Sequence, residues 1–134
     1  MATFPLKVVS PDGIKFQGQV EMLSLRTATG DMGILAGHCN CVAPVGMGRA
    51  AVVADGATRS AACIGGVVSV LNGEVTLTPT TFEWAEEIDR QRAEQSEKRA
   101  QAVLQQKDAS QNDIRLAQAR LRRALIRKSV ASDK

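Results

Sequence analysis

The stretch GGVVSVLNGEVTLTP, residues 65 to 79, decides the fold. Val68 and Val70 on one side and Val75 and Leu77 on the other occupy alternate positions, and Asn72-Gly73 lies between the two arms. Alternation with period two is the pattern of a half-buried strand, and Asn-Gly between two such arms is the strongest short-range signal for a two-residue hairpin turn. Asp12-Gly13 and Asp55-Gly56 repeat the signal between other alternating runs, among them VEMLSL at 20 to 25, where Val20 and Leu25 mark strand faces. Hairpins repeated at this spacing predict an antiparallel sandwich or barrel over the first part of the chain.

Composition supports that reading and divides the chain. There are 134 residues, 44% of them hydrophobic, with three Phe, one Trp and no Tyr, so a core must come from Val, Leu, Ile and Ala. Nine of the eleven glycines fall within residues 30 to 73, and none follows Gly73. After Pro79 the text turns to Ala, Glu, Gln and Arg, and apolar residues take a helical spacing. Residues 1 to 84 carry 5 basic and 6 acidic side chains, whereas residues 85 to 134 carry 12 and 8. Two segments with different tasks are expected, 1–84 and 85–134, the second suited to an acidic partner or a phosphate-bearing ligand.

Thr80 with Glu83 fits a capping box, which predicts a helix starting soon after Pro79. Ala85, Ile88, Arg92 or Ala93, Ala100, Val103 and Leu104 trace its narrow apolar stripe. KDASQN, residues 107 to 112, interrupts it, and Ser110 with Asp113, or Asn112 alone, is expected to cap a second helix bearing Ile114, Ala117, Leu121, Ala124 and Leu125 on one face. Two helices with a short connection make an αα-hairpin, too poor in apolar surface to stand alone.

No residue set points to catalysis. Glu86 and Glu87 are helix neighbours about 100° apart and cannot flank one bond. One histidine is present, and no GxSxG, P-loop or GxGxxG pattern. HCNC at 38 to 41 with Cys63 has the composition of a Cys₃His zinc set, but its spacing is tighter than finger knuckles and a second knuckle is missing, so no metal is expected. Three cysteines without a disulfide spacing suit free thiols in a reducing compartment. No window is long and apolar enough to span a bilayer, and MATFPLKVVS is not a signal peptide, so a cytosolic protein is expected. RLAQARLRRALIRK, 115 to 128, lacks the aromatic residues of a nucleic-acid binder and reads better as an amphipathic partner helix. In EIDRQRA, 87 to 93, Ile88, Asp89, Arg92 and Ala93 bring apolar, acceptor and cationic groups within little more than a turn. That patch suits a purine and phosphates, with Arg123 and Arg127 as further cations; exposed ion pairs such as Glu86 with Arg90 are the simpler reading.

SPDG at 10 to 13, GDMGILAGH at 30 to 38, Pro44, Gly46 and Gly48, GGVVSVLNGEVTL at 65 to 77 and IDRQRA at 88 to 93 occur in one order, and together they resemble the ε subunits of bacterial F-type ATP synthases. The resemblance spans essentially the whole chain, departing at Ala36, where that family carries proline, and within CNC after His38. It implies a β-sandwich of about ten strands followed by a two-helix hairpin. It implies a non-catalytic rotor subunit seated on the γ subunit and the c-ring, coupling rotation to proton or sodium transport and ATP synthesis. Its place would be the cytoplasmic face of the cell membrane, reached only through the complex. The hairpin would extend into the α and β subunits, where Arg115, Arg120, Arg122, Arg123 and Arg127 would meet acidic segments of β and block hydrolysis. Some members bind ATP through a motif of the form I/L-D-x-x-R-A. By that resemblance Ile88, Asp89, Arg92 and Ala93, with Glu83, Arg123 and Arg127, would hold ATP as a regulatory ligand rather than a required cofactor. A rotor part whose hairpin senses nothing is the alternative.

Overall fold

The structure, a computed structural model, describes residues 2–132. The chain forms two compact units, Met1–Trp84 and Ala85–Lys134. The first contains ten strands, β1 Phe4–Ser10, β2 Gly13–Val20, β3 Met22–Thr27, β4 Gly30–Leu35, β5 Cys41–Pro44, β6 Met47–Ala54, β7 Ala57–Ile64, β8 Val67–Leu71, β9 Glu74–Thr78 and β10 Thr81–Trp84. They make two five-stranded sheets, ordered β2-β1-β9-β8-β5 and β10-β7-β6-β3-β4. Alternate residues of both sheets turn inward, and Leu6, Val8, Leu23, Leu25, Ile34, Val68 and Leu77 are among those sealed in a shared aliphatic core.

The turn dipeptides behave as their chemistry requires, with one exception. Asp55-Gly56 and Asn72-Gly73 both take positive φ, as a two-residue turn of primed type demands at its two central positions. At the first hairpin Ser10 faces Gly13, so the turn is Pro11-Asp12 instead of the expected Asp12-Gly13. Proline fixes φ near −65° and cannot supply the positive value a primed turn needs, so Gly13 takes φ 124 at the strand entrance. The Ser10 hydroxyl accepts the Asp12 N–H and donates to the Gly13 carbonyl.

Pairing is antiparallel except between β1 and β9, which run parallel with Leu6 opposite Val75 and Val8 opposite Leu77. Three connections that carry the chain between sheets meet at Gly65-Gly66. The Val45 N–H donates to the Gly66 carbonyl at 2.9 Å, and the Gly65 N–H donates to the Gly46 carbonyl at 3.1 Å. The β9–β10 connection passes on the other side, so that a Cβ on Gly66 would run into the Thr78 carbonyl.

The helix expected from the Thr80–Glu83 capping box does not begin there. Thr81–Trp84 is β10, antiparallel to β7, with Glu83 opposite Ala62. Phe82 and Trp84 alternate into the core, and burying two aromatic rings outweighs a cap worth about 1 kcal/mol. Trp84 closes the sandwich at that edge. Its indole N–H donates to the Lys15 carbonyl on β2 at 3.3 Å, Phe82 packs edge-on at 4.9 Å, and the Arg59 guanidinium lies 3.8 Å over the ring.

The second unit is a single 3₁₀ turn, Ala85–Glu87, followed by helices α1, Arg90–Leu104, and α2, Gln111–Ala131, in a hairpin. Ser110 caps α2, its hydroxyl accepting the Asp113 N–H at 3.1 Å, as expected from sequence. Ala93, Ala100, Ala117, Ala124 and Ala131 are buried, with Val103, Leu104, Ile114 and Leu121 half-buried. Leu125, expected on the same face, is exposed: it lies about 100° past Ala124, on the side away from the buried Ala117, Val130 and Ala131.

Gly66→Ala places a side chain at φ +97 against the Thr78 carbonyl. It is expected to lower unfolding stability by at least about 2 kcal/mol in chemical denaturation of the full chain.

Candidate functional site

The IDRQRA stretch builds the beginning of α1. The Ile88 N–H donates to the Ala85 carbonyl at 3.3 Å, ending the 3₁₀ turn. Asp89 then takes extended backbone, φ −83 and ψ 101, and its carboxylate accepts the Arg92 N–H at 3.1 Å. Asp89 is thus the N-cap, and its Oδ1 satisfies the third amide of the helix, one of the four that have no partner inside it. Ile88 before the cap and Ala93 at the fourth helical position are both buried, 2% and 0% exposed. That is the arrangement of a hydrophobic staple, which fixes the angle at which a chain enters a helix. Three of the four motif residues therefore set the helix start, while the Arg92 side chain is exposed.

The other residues singled out from sequence fall in different places. Glu83 lies on β10, in the first unit. Arg115, Arg120, Arg122 and Arg123 are exposed along α2, whereas Arg127 is half-buried with its Nε shielded from solvent. Across the 21 residues of α2 stand six basic side chains and one acidic. Arg90 pairs with Glu94 one turn on, at 3.5 Å, and Glu86 belongs to the 3₁₀ turn rather than to the helix.

The two helices are joined across their seam by Lys128, whose Nζ donates to Glu97 Oε2 at 2.9 Å. This pair was not singled out from the sequence. The signal was present: Glu97 lies four residues after Ala93 and Lys128 four after Ala124, charged positions within the two alanine stripes. The contact shows the register of the hairpin, with Glu97 about level with Lys128. Arg127 stands about one and a half turns along the axis from the level of Arg92, and Arg123 about one turn further, roughly 13 Å by helical rise. The three arginines thus stand at successive levels along the hairpin.

The cysteine-histidine stretch does not assemble. His38, Cys39 and Asn40 form a loop, with the His38 Nδ1 2.8 Å from the Cys39 carbonyl. Cys41 belongs to one sheet and Cys63 to the other. Cys63 is buried, and that burial pushes its thiol up to about 12, which keeps it protonated and inert. Among the described residues no group of three or more His, Cys, Asp or Glu is placed to hold a metal ion.

A ten-stranded sandwich followed by a capped two-helix hairpin defines a class of two-part chains, and sequence comparison identifies which. Residues 3–85 match the family model of the ATP synthase Delta/Epsilon chain β-sandwich domain, and residues 86–132 that of its long α-helix domain. The chain belongs to the ATP synthase delta/epsilon chain family. An ATP synthase epsilon chain of Caldicellulosiruptor bescii is 41% identical over 99% of this chain and 96% of its own length. That of Bacillus velezensis is 40% identical over 99% and 100%. Among solved structures, a chain of the Euglena gracilis mitochondrial ATP synthase, OSCP/F1/c-ring, superposes with a TM-score of 0.84 at 23% identity, covering all of this chain and 83% of its own.

Asp89→Ala is expected to cost about 1 kcal/mol of local stability, read as faster amide exchange across Arg90–Leu104. Arg92→Ala keeps the capped N–H and is expected to leave exchange there within about 0.5 kcal/mol of wild type.

Proposed function

We propose that the chain is a central-stalk subunit of an F-type ATP synthase, itself without catalytic residues, whose helix hairpin is a nucleotide-responsive brake on ATP hydrolysis. Family membership and the full-length relatives named ATP synthase epsilon chain support the stalk assignment. The sandwich suits docking on the γ subunit and the c-ring. Val42 and Leu71 are 74% and 62% exposed on neighbouring strands, and with Pro44 and Val67 they share the outer face of β5 and β8. An apolar patch of this kind on a sheet marks an interaction surface. Membrane association would come through the complex, since no helix among the described residues is long and apolar enough to cross a membrane. In this reading the subunit sits at the cytoplasmic face, where rotation would be coupled to proton or sodium transport.

The brake is α2. Its exposed arginines, Arg115, Arg120, Arg122 and Arg123, with Arg127 beside them, form a basic face for acidic segments of the β subunit in an extended state of the hairpin. ATP acts on the folded state. The observation carrying this is the exposed guanidinium of Arg92 at a helix start whose staple and cap are supplied by Ile88, Asp89 and Ala93. An anion there meets both a cation and the positive end of the helix dipole. Arg127 and Arg123 extend the row of positive charge along the hairpin, and Glu83 completes the expected set. Because ATP would bind only the folded hairpin, it would shift the population toward that state and release the brake.

One observation favours a second reading, a purely structural rotor part: the Asp89 carboxylate is engaged by the cap, so the motif has a role with no nucleotide present. Calorimetry separates the two. ATP titrated into the full chain is expected to bind in the micromolar to low-millimolar range, more tightly than ADP, with at least tenfold loss in Arg92→Ala. Absence of ATP binding by the wild type would favour the structural reading.

A further inference from the structure

We infer that the Glu97–Lys128 pair is the register key and latch of the hairpin, a polar layer set between alanine layers that holds the closed state in one alignment and keeps it openable. The proposal rests on the reading of the hairpin as a moving element. Its basis is position. Three residues beyond Glu97 is Ala100, and four before Lys128 is Ala124; four before Glu97 is Ala93, and three beyond Lys128 is Ala131. All four alanines are buried. In a hairpin, steps of three and four residues in opposite directions from a contacting pair lead to facing positions, so the ion pair is flanked on both sides by facing alanines. Its side chains are only 31% and 18% exposed, for Lys128 and Glu97, and the contact is 2.9 Å.

Alanine layers are nearly identical to one another and recur every seven residues, so sliding one helix by two turns would replace alanine with alanine at little cost. A charged pair in that seam forbids the slide, because a shifted register leaves an ammonium and a carboxylate against methyl groups. Single polar positions in helix seams fix alignment in this way at some cost in stability. The same cost makes the seam separable: once the helices part, both groups regain water, which an apolar layer of the same size would not. The latch therefore distinguishes closed from open more by alignment than by strength.

The test uses native-state amide exchange of the full chain, followed by ATP hydrolysis of the reconstituted complex. Glu97→Gln and Lys128→Gln are each expected to speed exchange across both helices at least threefold, with sandwich amides unchanged. Reversing the pair, Glu97→Lys with Lys128→Glu, is expected to bring exchange back to within twofold of wild type. Glu97→Leu with Lys128→Leu is expected to slow exchange below wild type and to lift hairpin-dependent inhibition in the complex. Unchanged exchange in both single variants, or a reversed pair no better than either single, would overturn the latch. If exchange follows the expectation while the Leu pair leaves inhibition as it was, the latch stands and the regulatory reading of the hairpin fails.

Discussion

The contact between the two helices runs through alanine, and the behaviour of the second unit depends on that choice. Ala93 and Ala100 in α1, and Ala117, Ala124 and Ala131 in α2, bury methyl groups where most helix pairs bury leucine. The helices come close, yet the apolar area removed from water per layer is small, and so is the stabilisation in proportion to it. Helices of 15 and 21 residues have little stability of their own in water. A hairpin held in this way has a folded state defined in geometry and modest in energy. Such an element can be displaced by a ligand or a partner that offers only a few kcal/mol of difference between its states.

The sandwich is built on opposite lines. Aliphatic side chains from two sheets fill one core, three sheet-crossing connections are packed at Gly65-Gly66, and Trp84 is held by an indole hydrogen bond, an edge-on ring and a guanidinium. Immediately after that anchor the chain makes one 3₁₀ turn and is capped into α1 by Asp89. Four residues separate the last core residue of the first unit from the cap of α1.

Much of this was legible in the sequence because it is local. Asn72-Gly73 and Asp55-Gly56 marked true hairpin turns and Ser110 a true cap, whereas the change of composition after Pro79 comes one strand before the sheets end at Trp84. What was not legible depended on competition or on distant partners. Pro11 moved the first turn by one residue. Thr80 and Glu83 carried a cap pattern, but the alternation of Phe82 and Trp84 into the core prevailed. Nothing local announces that β1 pairs in parallel with a strand some seventy residues away. At the candidate site, the sequence showed Ile88 and Ala93 as apolar neighbours but not their place in a staple at the helix start. Glu97 and Lys128 escaped attention because their relation appears only when the hairpin register is known.

The central claim is that nucleotide closes the hairpin, and an interhelix distance tests it most directly. With Cys39 and Cys41 replaced by Ser and spin labels at Gln91 and Ser132, both exposed and at the end of the hairpin away from its loop, pulsed dipolar spectroscopy can be run on the assembled complex with and without ATP. The account predicts one short, narrow distance with ATP and a second, longer population without it. One and the same distribution under both conditions would contradict it.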